Sequence, residues 1–331
     1  MFTRPEDLAD SRVAQALLAG WGLGVDEIDY APVGFGSYHW RVSAGPQRWF
    51  VTADDLDAKR RDRAETFDAA RRRLSAALST ARSLRDAGAA FVVAPVRTVS
   101  GRVVHIADGR FAIASYPHVD GESYPWGPYP TRADRVAIVD LIVAIHRAPS
   151  STSEAALTDD FAIPCRNELA AALADLHDSW RGGPFAEPAR LLLERHDDAV
   201  RRMLERYDGL AARVASEPER MVLTHGEPHR GNTITTANGV VLIDWDTALI
   251  APPERDLWSL VDEDPSIVDH YAATTGITPD GGALELYRLW WDLTEISMFI
   301  GEFRRAHRET DDTRVAWAGL TRYLNPTRWR A

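Results

Sequence analysis

Apolar positions along the chain change period from helical to alternating and back, which divides it into a strand-rich opening and a helical remainder. From Pro5 to Gly20, Leu8, Val13, Leu17 and Leu18 recur at helical spacing, and Gly20 and Gly22 end the pattern. Tyr30 to Val42 and Arg48 to Thr52 read as strands joined through a glycine-bearing stretch, Gly34-Phe35-Gly36-Ser37. Asp68 to Ala87 predicts a long helix closed by Gly88, after which Phe91 to Val96, Val103 to Ile106 and Phe111 to Ser115 complete a sheet. From Thr131 onward helices dominate, most clearly Arg135 to His146, Arg166 to Trp180, Pro188 to Ser216 and Leu284 to His307. The Ser-, Ala- and Pro-rich segment from Arg147 to Thr158 reads as an exposed connection. No internal repeat and no sustained heptad interrupts this order, so a coiled-coil scaffold is excluded.

Composition narrows the class. With 331 residues the chain can build two substantial cores, and 45% hydrophobic with 26% charged residues is ordinary for a globular enzyme. A formal charge of −11 with no dense basic tract argues against nucleic acid and would attract a cationic small molecule. The opening MFTRPEDLAD lacks the basic end and apolar run of a signal peptide, and no stretch reaches membrane-spanning length. A cytoplasmic location is expected, with no membrane association and no protein partner implied. Cys165 is the single cysteine, which excludes an intramolecular disulfide or a cysteine metal cluster. Lys59 is the sole lysine among 38 lysines and arginines.

The candidate chemistry lies in His225-Gly226-Glu227-Pro228-His229-Arg230-Gly231-Asn232 and, after it, Ile243-Asp244-Trp245-Asp246. Between them Thr233 to Thr236, a turn at Ala237-Asn238-Gly239 and the run Val240 to Ile243 read as a β-hairpin. An acid, an amide and a second acid on adjacent loops suit a magnesium-bound triphosphate held beside a hydroxyl, because phosphoryl transfer asks chiefly for positioning and charge neutralisation. Glu227 would orient or deprotonate the hydroxyl, and Asn232 and Asp244 would supply oxygen ligands to Mg²⁺. Asp246 would assist a second metal position or support Asp244. His225 and His229 read as loop supports; a helical zinc pair is disfavoured by Gly226, Pro228 and Gly231.

The composite pattern H-G-(D/E)-x-H-x-G-N followed by I-D-W-(D/E) resembles the aminoglycoside phosphotransferase family, relatives of the protein kinases. Ala248 to Trp258 is most like the spectinomycin phosphotransferase branch. The resemblance implies an α+β, protein-kinase-like two-lobed fold: a nucleotide-binding lobe over residues 1–117 with a small mixed sheet, and a larger, mainly helical lobe over 118–331. It implies ATP or GTP as donor, Gly34, Gly36 and Ser37 over the phosphates, and adenine against the backbone near Ser115, Tyr116 and His118. Arg255 and Asp256 match the family's structural pair after the metal loop.

Three departures stand out. Glu227 occupies the position of the family's catalytic aspartate, with a longer arm that bears on rate and on the preferred hydroxyl. Thr52 stands where a phosphate-binding lysine is usual, and its glutamate partner would fall near Ser75, so both halves of that ion pair are missing. Lys59, folded back with Glu65 or Asp68, or arginines between Arg60 and Arg73, are the available replacements. On the acceptor side, Asp262, Glu263, Trp291, Asp292 and Glu295 combine acids and an aromatic suited to a cationic, hydroxylated substrate, while Tyr124, Trp126 and Tyr129 would form a lid or pack on the larger lobe. The expected function is Mg²⁺-dependent phosphorylation of an aminoglycoside or aminocyclitol hydroxyl, spectinomycin being one such substrate. The rivals are a kinase of another hydroxylated metabolite and a catalytically impaired kinase-like binding protein.

Overall fold

The computed structural model describes residues 1–325 and has the two-lobed α+β architecture of the kinase-like fold. Helix α1 (Asp10–Trp21) ends where Gly22 adopts a left-handed conformation at φ 69°, and it buries Val13, Ala16 and Leu17. It covers one face of a five-stranded sheet formed by β1 (Glu27–Tyr30), β2 (Tyr38–Ala44), β3 (Gln47–Asp55), β4 (His105–Ala107) and β5 (Phe111–Pro117). The strand order is β1-β2-β3-β5-β4, with every neighbouring pair antiparallel. The sheet is therefore not mixed: β2–β3 and β4–β5 are hairpins, and the long return through α2 (Phe67–Asp86) brings β5 back antiparallel to β3.

Alternation along β3 sends Val51 and Ala53 to the α1 side and leaves Thr52 and Asp54 on the opposite face. That second face meets α2, whose Ala70, Leu74, Ala77, Leu78 and Ala81 pack with Ala112 and Ala114 of β5. The same core runs on into the second lobe through Leu223, Leu242, Trp245 and Ala248. Two lobes thus share one apolar junction, directly behind the 243–246 loop.

The apolar run 91–96 does not form a strand of the first sheet as predicted, and only Val96 reaches it, through its N–H to Ser115 O. Val93 N–H donates to Leu242 O at 3.0 Å and Leu242 N–H to Phe91 O at 2.7 Å, a parallel bridge into the second lobe. The reason is an open edge: β9 (Gly239–Leu242) has only β8 (Thr233–Thr236) as a strand partner, and residues 91–93 satisfy its other side.

The second lobe contains α3 (Arg132–His146), started by a reciprocal Thr131–Asp134 capping box, then α4 (Arg166–Ala174) and α5 (Ala186–Val214). Helix α4 ends well before Trp180, because Asp175 to Gly183 breaks into turns. Helices α6 (Glu254–Glu263), α7 (Ile267–Thr275), α8 (Gly281–Phe303) and α9 (Asp311–Tyr323) complete the lobe, with α5 and α8 at the centre of its core. Short strands β6 (Glu122–Ser123) with β8–β9, and β7 (Val222–Thr224) with β10 (Leu249–Ala251), frame the catalytic segment. No helix among the described residues is long and apolar enough to cross a membrane.

Trp245 is 1% exposed in the shared core and donates its indole N–H to Leu242 O at 3.0 Å. Trp245→Ala is expected to cost about 4 kcal/mol, read as a lowered unfolding midpoint, with Trp245→Phe losing less. An unchanged midpoint would mean that the junction carries little of the stability.

Candidate active site

The segment from His225 to Asn232 connects β7 to β8, and its course is fixed from below by one carboxylate. Asp256, at the start of α6 and fully buried, accepts the N–H of His225 at 2.9 Å and of Gly226 at 2.6 Å, and lies 3.1 Å from His146 Nε2 of α3. Gly226 is required here: its φ is 102°, and any side chain would collide with the Arg255 guanidinium. Arg255 in turn donates to Thr224 Oγ1 at 3.0 Å and Thr247 O at 2.9 Å, which ties the start of the 225–232 segment to the end of the 243–246 loop. Arg255 and Asp256 are internal struts of the site.

His225 is buried against the Trp245 ring, with centroids 4.5 Å apart, and its Nε2 sits 2.9 Å from Ile243 O. Burial lowers its pKa, which keeps the imidazole neutral. Glu227 N–H donates to His225 Nδ1 at 3.2 Å, and the Glu227 carboxylate extends into partly open space, 3.8 Å from His229 Nε2. Asn232 spends its amide donors on Glu227 O at 3.0 Å and towards His229 Nε2 at 3.3 Å, which leaves its side-chain oxygen as an acceptor. His229 thus stands between the acid and the amide.

Hairpin β8–β9 brings the second acid alongside, because Ile243 N–H donates to Asn232 O at 3.0 Å immediately before Asp244. Asp244 adopts a left-handed φ of 63°, a conformation uncommon outside glycine that here turns the chain between two anchored neighbours. Its side chain is exposed to solvent. Desolvation by the surrounding protein, followed by the nearby carboxylates of Asp246 and Glu227, pushes its carboxyl above the usual range.

Lys59 is folded into this cluster. Its ammonium lies 2.6 Å from Asp246 Oδ2 and 3.1 Å from Asp54 Oδ1, and Asp54 also accepts from Ser37 Oγ at 2.5 Å. Both acids raise the Lys59 pKa well above normal despite burial, and Lys59 holds the Asp246 carboxyl low. The partners differ from the expected pair: Glu65 binds Arg73 and Asp68 binds Arg71 and Arg72. Asp54 takes that place instead, and alternation along β3, which puts it on the same face as Thr52, is the sequence signal that points to it. Thr52 itself stands opposite Ala114 of β5, and burial pushes the phenol of Tyr116 far up.

Above Lys59, Gly34 and Gly36 take left-handed φ values of 69° and 90°, and a Cβ on Gly36 would lie 3.9 Å from the ammonium. Phe35 at the loop tip meets Phe299 of α8, ring centroids 6.2 Å apart. At the interlobe connection, Ser115 O accepts from Val96 N–H at 2.7 Å and His118 N–H donates to Arg48 O at 3.0 Å, so these two backbone groups are already engaged. The Ser115 hydroxyl is buried without a partner among the described residues.

The expected acceptor residues do not form one free acidic face. Asp262 is paired with Arg288, and Glu263 accepts from Tyr129 N–H at 3.0 Å and faces Arg135 at 3.8 Å. Trp291 packs against Trp258 and donates to Tyr323 OH at 2.9 Å; Asp292 is buried in α8, while Glu295 is half-buried. Tyr124, Trp126 and Tyr129 line the catalytic segment: Tyr129 OH donates to Pro228 O at 3.0 Å, Arg230 covers Tyr124, and Trp126 lies edge-on to His229 beneath Arg322.

No group of three or more His, Cys, Asp or Glu side chains arranged to hold a metal occurs among the described residues. A mixed amide and carboxylate pair, Asn232 and Asp244, nevertheless fits Mg²⁺, which prefers few protein oxygens plus phosphate oxygens. Surrounding carboxylates in excess of the one ammonium also leave negative charge for a cation to neutralise.

Comparison with known proteins agrees with this geometry. The APH profile, described as a phosphotransferase enzyme family, matches residues 27–290. Protein StrN of Streptomyces griseus is 32% identical over 314 residues, covering 90% of this chain and 86% of its own. Among solved structures, spectinomycin phosphotransferase in complex with ADP and spectinomycin superposes with a TM-score of 0.73 at 16% identity, covering 97% of this chain and 96% of its own. A microcompartment-associated aminopropanol kinase gives 0.57 at 16% identity, with 95% of each chain covered.

Asp256→Ala is expected to cost about 3 kcal/mol, because it strands two buried N–H groups and the His146 ring. Denaturant unfolding would record this as a lower midpoint, with Asp256→Asn intermediate since it keeps one acceptor. Equal midpoints for all three proteins would refute the role of Asp256 as the anchor.

Proposed function

Because the chain belongs to the APH phosphotransferase enzyme family, we propose that it moves the γ-phosphate of a Mg²⁺-bound nucleoside triphosphate, ATP or GTP, to a hydroxyl of an aminoglycoside- or aminocyclitol-like substrate. The observation that carries this reading is that hydrogen bonds bring Glu227, Asn232 and the chain just before Asp244 together at the end of one hairpin, where Asp246 pairs with the Lys59 ammonium from the other lobe. Such a protein acts in the cytoplasm, where the donor is available, and antibiotic resistance is one role it would serve.

Each residue then has a task. Mg²⁺ held by Asn232 and Asp244 neutralises phosphate charge. Lys59 supplies the point charge to the donor phosphates that Thr52 cannot, and the Gly34–Ser37 backbone covers them. Glu227 orients the acceptor hydroxyl and takes its proton as the new oxygen–phosphorus bond forms and the bond to the β-phosphate oxygen breaks. His225 and His229 hold the segment that presents Glu227. Direct attack needs no covalent enzyme intermediate.

A second reading, a kinase of another hydroxylated metabolite, gains from Arg322 above Trp126 beside His229, and from Asp262 and Glu263 being committed to internal partners. These features favour a less cationic acceptor. The donor and metal assignments are the same in both readings.

Thermal unfolding with ATP, GTP and ADP, each with and without Mg²⁺, is expected to show a magnesium-dependent rise for the true donor. Asp244→Ala should lower turnover by roughly a thousandfold, and Glu227→Gln by roughly a hundredfold or more, measured by product mass over an acceptor panel. Normal turnover in Asp244→Ala would overturn the metal assignment, and phosphorylation confined to non-cationic acceptors would select the second reading.

A further inference from the structure

Lys59 sits on an arm between β3 and α2 whose path is fixed by other arginines. Arg73, near the start of α2, donates through Nη2 to the main-chain carbonyl of Lys59 at 2.6 Å, and through Nη1 it pairs with Glu65. Glu65 also accepts the Arg61 N–H at 2.6 Å, so one guanidinium fork joins both ends of the segment 59–65. The Arg73 and Glu65 side chains are largely buried, at 21% and 16% exposure. On the far side, Arg61 pairs with Asp160, and Arg61 O accepts Cys165 N–H at 2.6 Å, both in the second lobe. Asp62 adds a bond from Asn167 at 3.1 Å.

This arrangement occupies the structural role left open at Ser75. A phosphate-binding lysine projecting from a strand is held by an acid on the following helix. Here the lysine projects from a loop, and the helix grips the loop backbone instead. We propose that Arg73 is a positioning residue for Lys59: it fixes the lysine through its carbonyl and through Glu65, so that the ammonium stands beneath Gly36 between Asp54 and Asp246. Arginine suits the task because its planar fork engages a carboxylate and a carbonyl at once, which a lysine head cannot do from one place. The contacts of Arg61 and Asp62 with residues 160–167 make the position of the lysine depend on the second lobe as well. The inference rests on the assignment of Lys59 to the donor phosphates.

The test is a double-mutant cycle on binding of a non-hydrolysable ATP analogue with Mg²⁺, measured by titration calorimetry on Lys59→Met, Arg73→Ala and the double variant. Each single substitution is expected to weaken binding about tenfold, the scale of one lost charge-assisted interaction. The double variant should bind no more weakly than Lys59→Met, because Arg73 acts through the lysine. Additive losses, or Arg73→Ala binding as wild type while Lys59→Met is weakened, would overturn the positioning role and leave the Lys59 assignment intact. Wild-type binding by Lys59→Met would overturn both. If circular dichroism shows Arg73→Ala unfolded, Arg73→Lys carries the same cycle, with a smaller loss expected that vanishes in the Lys59→Met background.

Discussion

One ammonium held between two carboxylates joins the lobes at the point where chemistry would occur. Lys59 reaches Asp54 of the first lobe and Asp246 of the second, and no other lysine exists in the chain to take its place. A buried pair of this kind contributes little net stability, since desolvation offsets attraction. Its value is positional. Asp54 bonds Ser37 of the glycine loop, and Asp246 lies two residues from Asp244, so the ammonium ties the glycine loop to the 243–246 loop. The cluster also stays deficient in positive charge: three aspartates, Asp54, Asp244 and Asp246, surround one lysine. On the proposed function, a magnesium-bound triphosphate would supply the missing cation together with an anion for Lys59 to meet.

Rigid support beneath this cluster comes from backbone bonding. Asp256 holds the N–H groups of His225 and Gly226, Arg255 ties Thr224 to Thr247, and the His225 ring closes on Ile243 O. These struts explain how Asp244 persists at a positive φ, a conformation that costs energy unless its surroundings impose it. The left-handed conformation sits on Asp244, the proposed metal ligand, and the anchors lie one residue away on each side.

The sequence was most legible where spacing and chemistry coincide. The helices α1, α2, α3 and α5, the β8–β9 hairpin and the acids and amide it carries follow from periodicity and turn residues. Residues 91–96 failed because their apolar run is correct for an extended segment but says nothing of which edge it joins; the open side of β9 lies in the other lobe. Asp262 and Glu263 misled for a related reason, since the arginines that neutralise them come from α8 and α3. Asp54 was within reach of a period-two argument from Thr52, whereas His146 as the partner of Asp256 was not, because 110 residues separate them.

Phosphate binding asks for a positive charge at a place in space, and is indifferent to which part of the chain delivers it. A strand-borne lysine inherits rigidity from its ladder, while a loop-borne one loses side-chain and backbone freedom on ordering, about 2–4 kcal/mol together. The arm between β3 and α2 meets that cost with contacts in both lobes: Arg73 and Glu65 on the α2 side, Cys165 and Asp160 on the other. Moving the lysine off the strand therefore changes more than its address. On a strand its position belongs to one lobe alone; on this arm it belongs to both, and the charge is placed only where the lobes are held together.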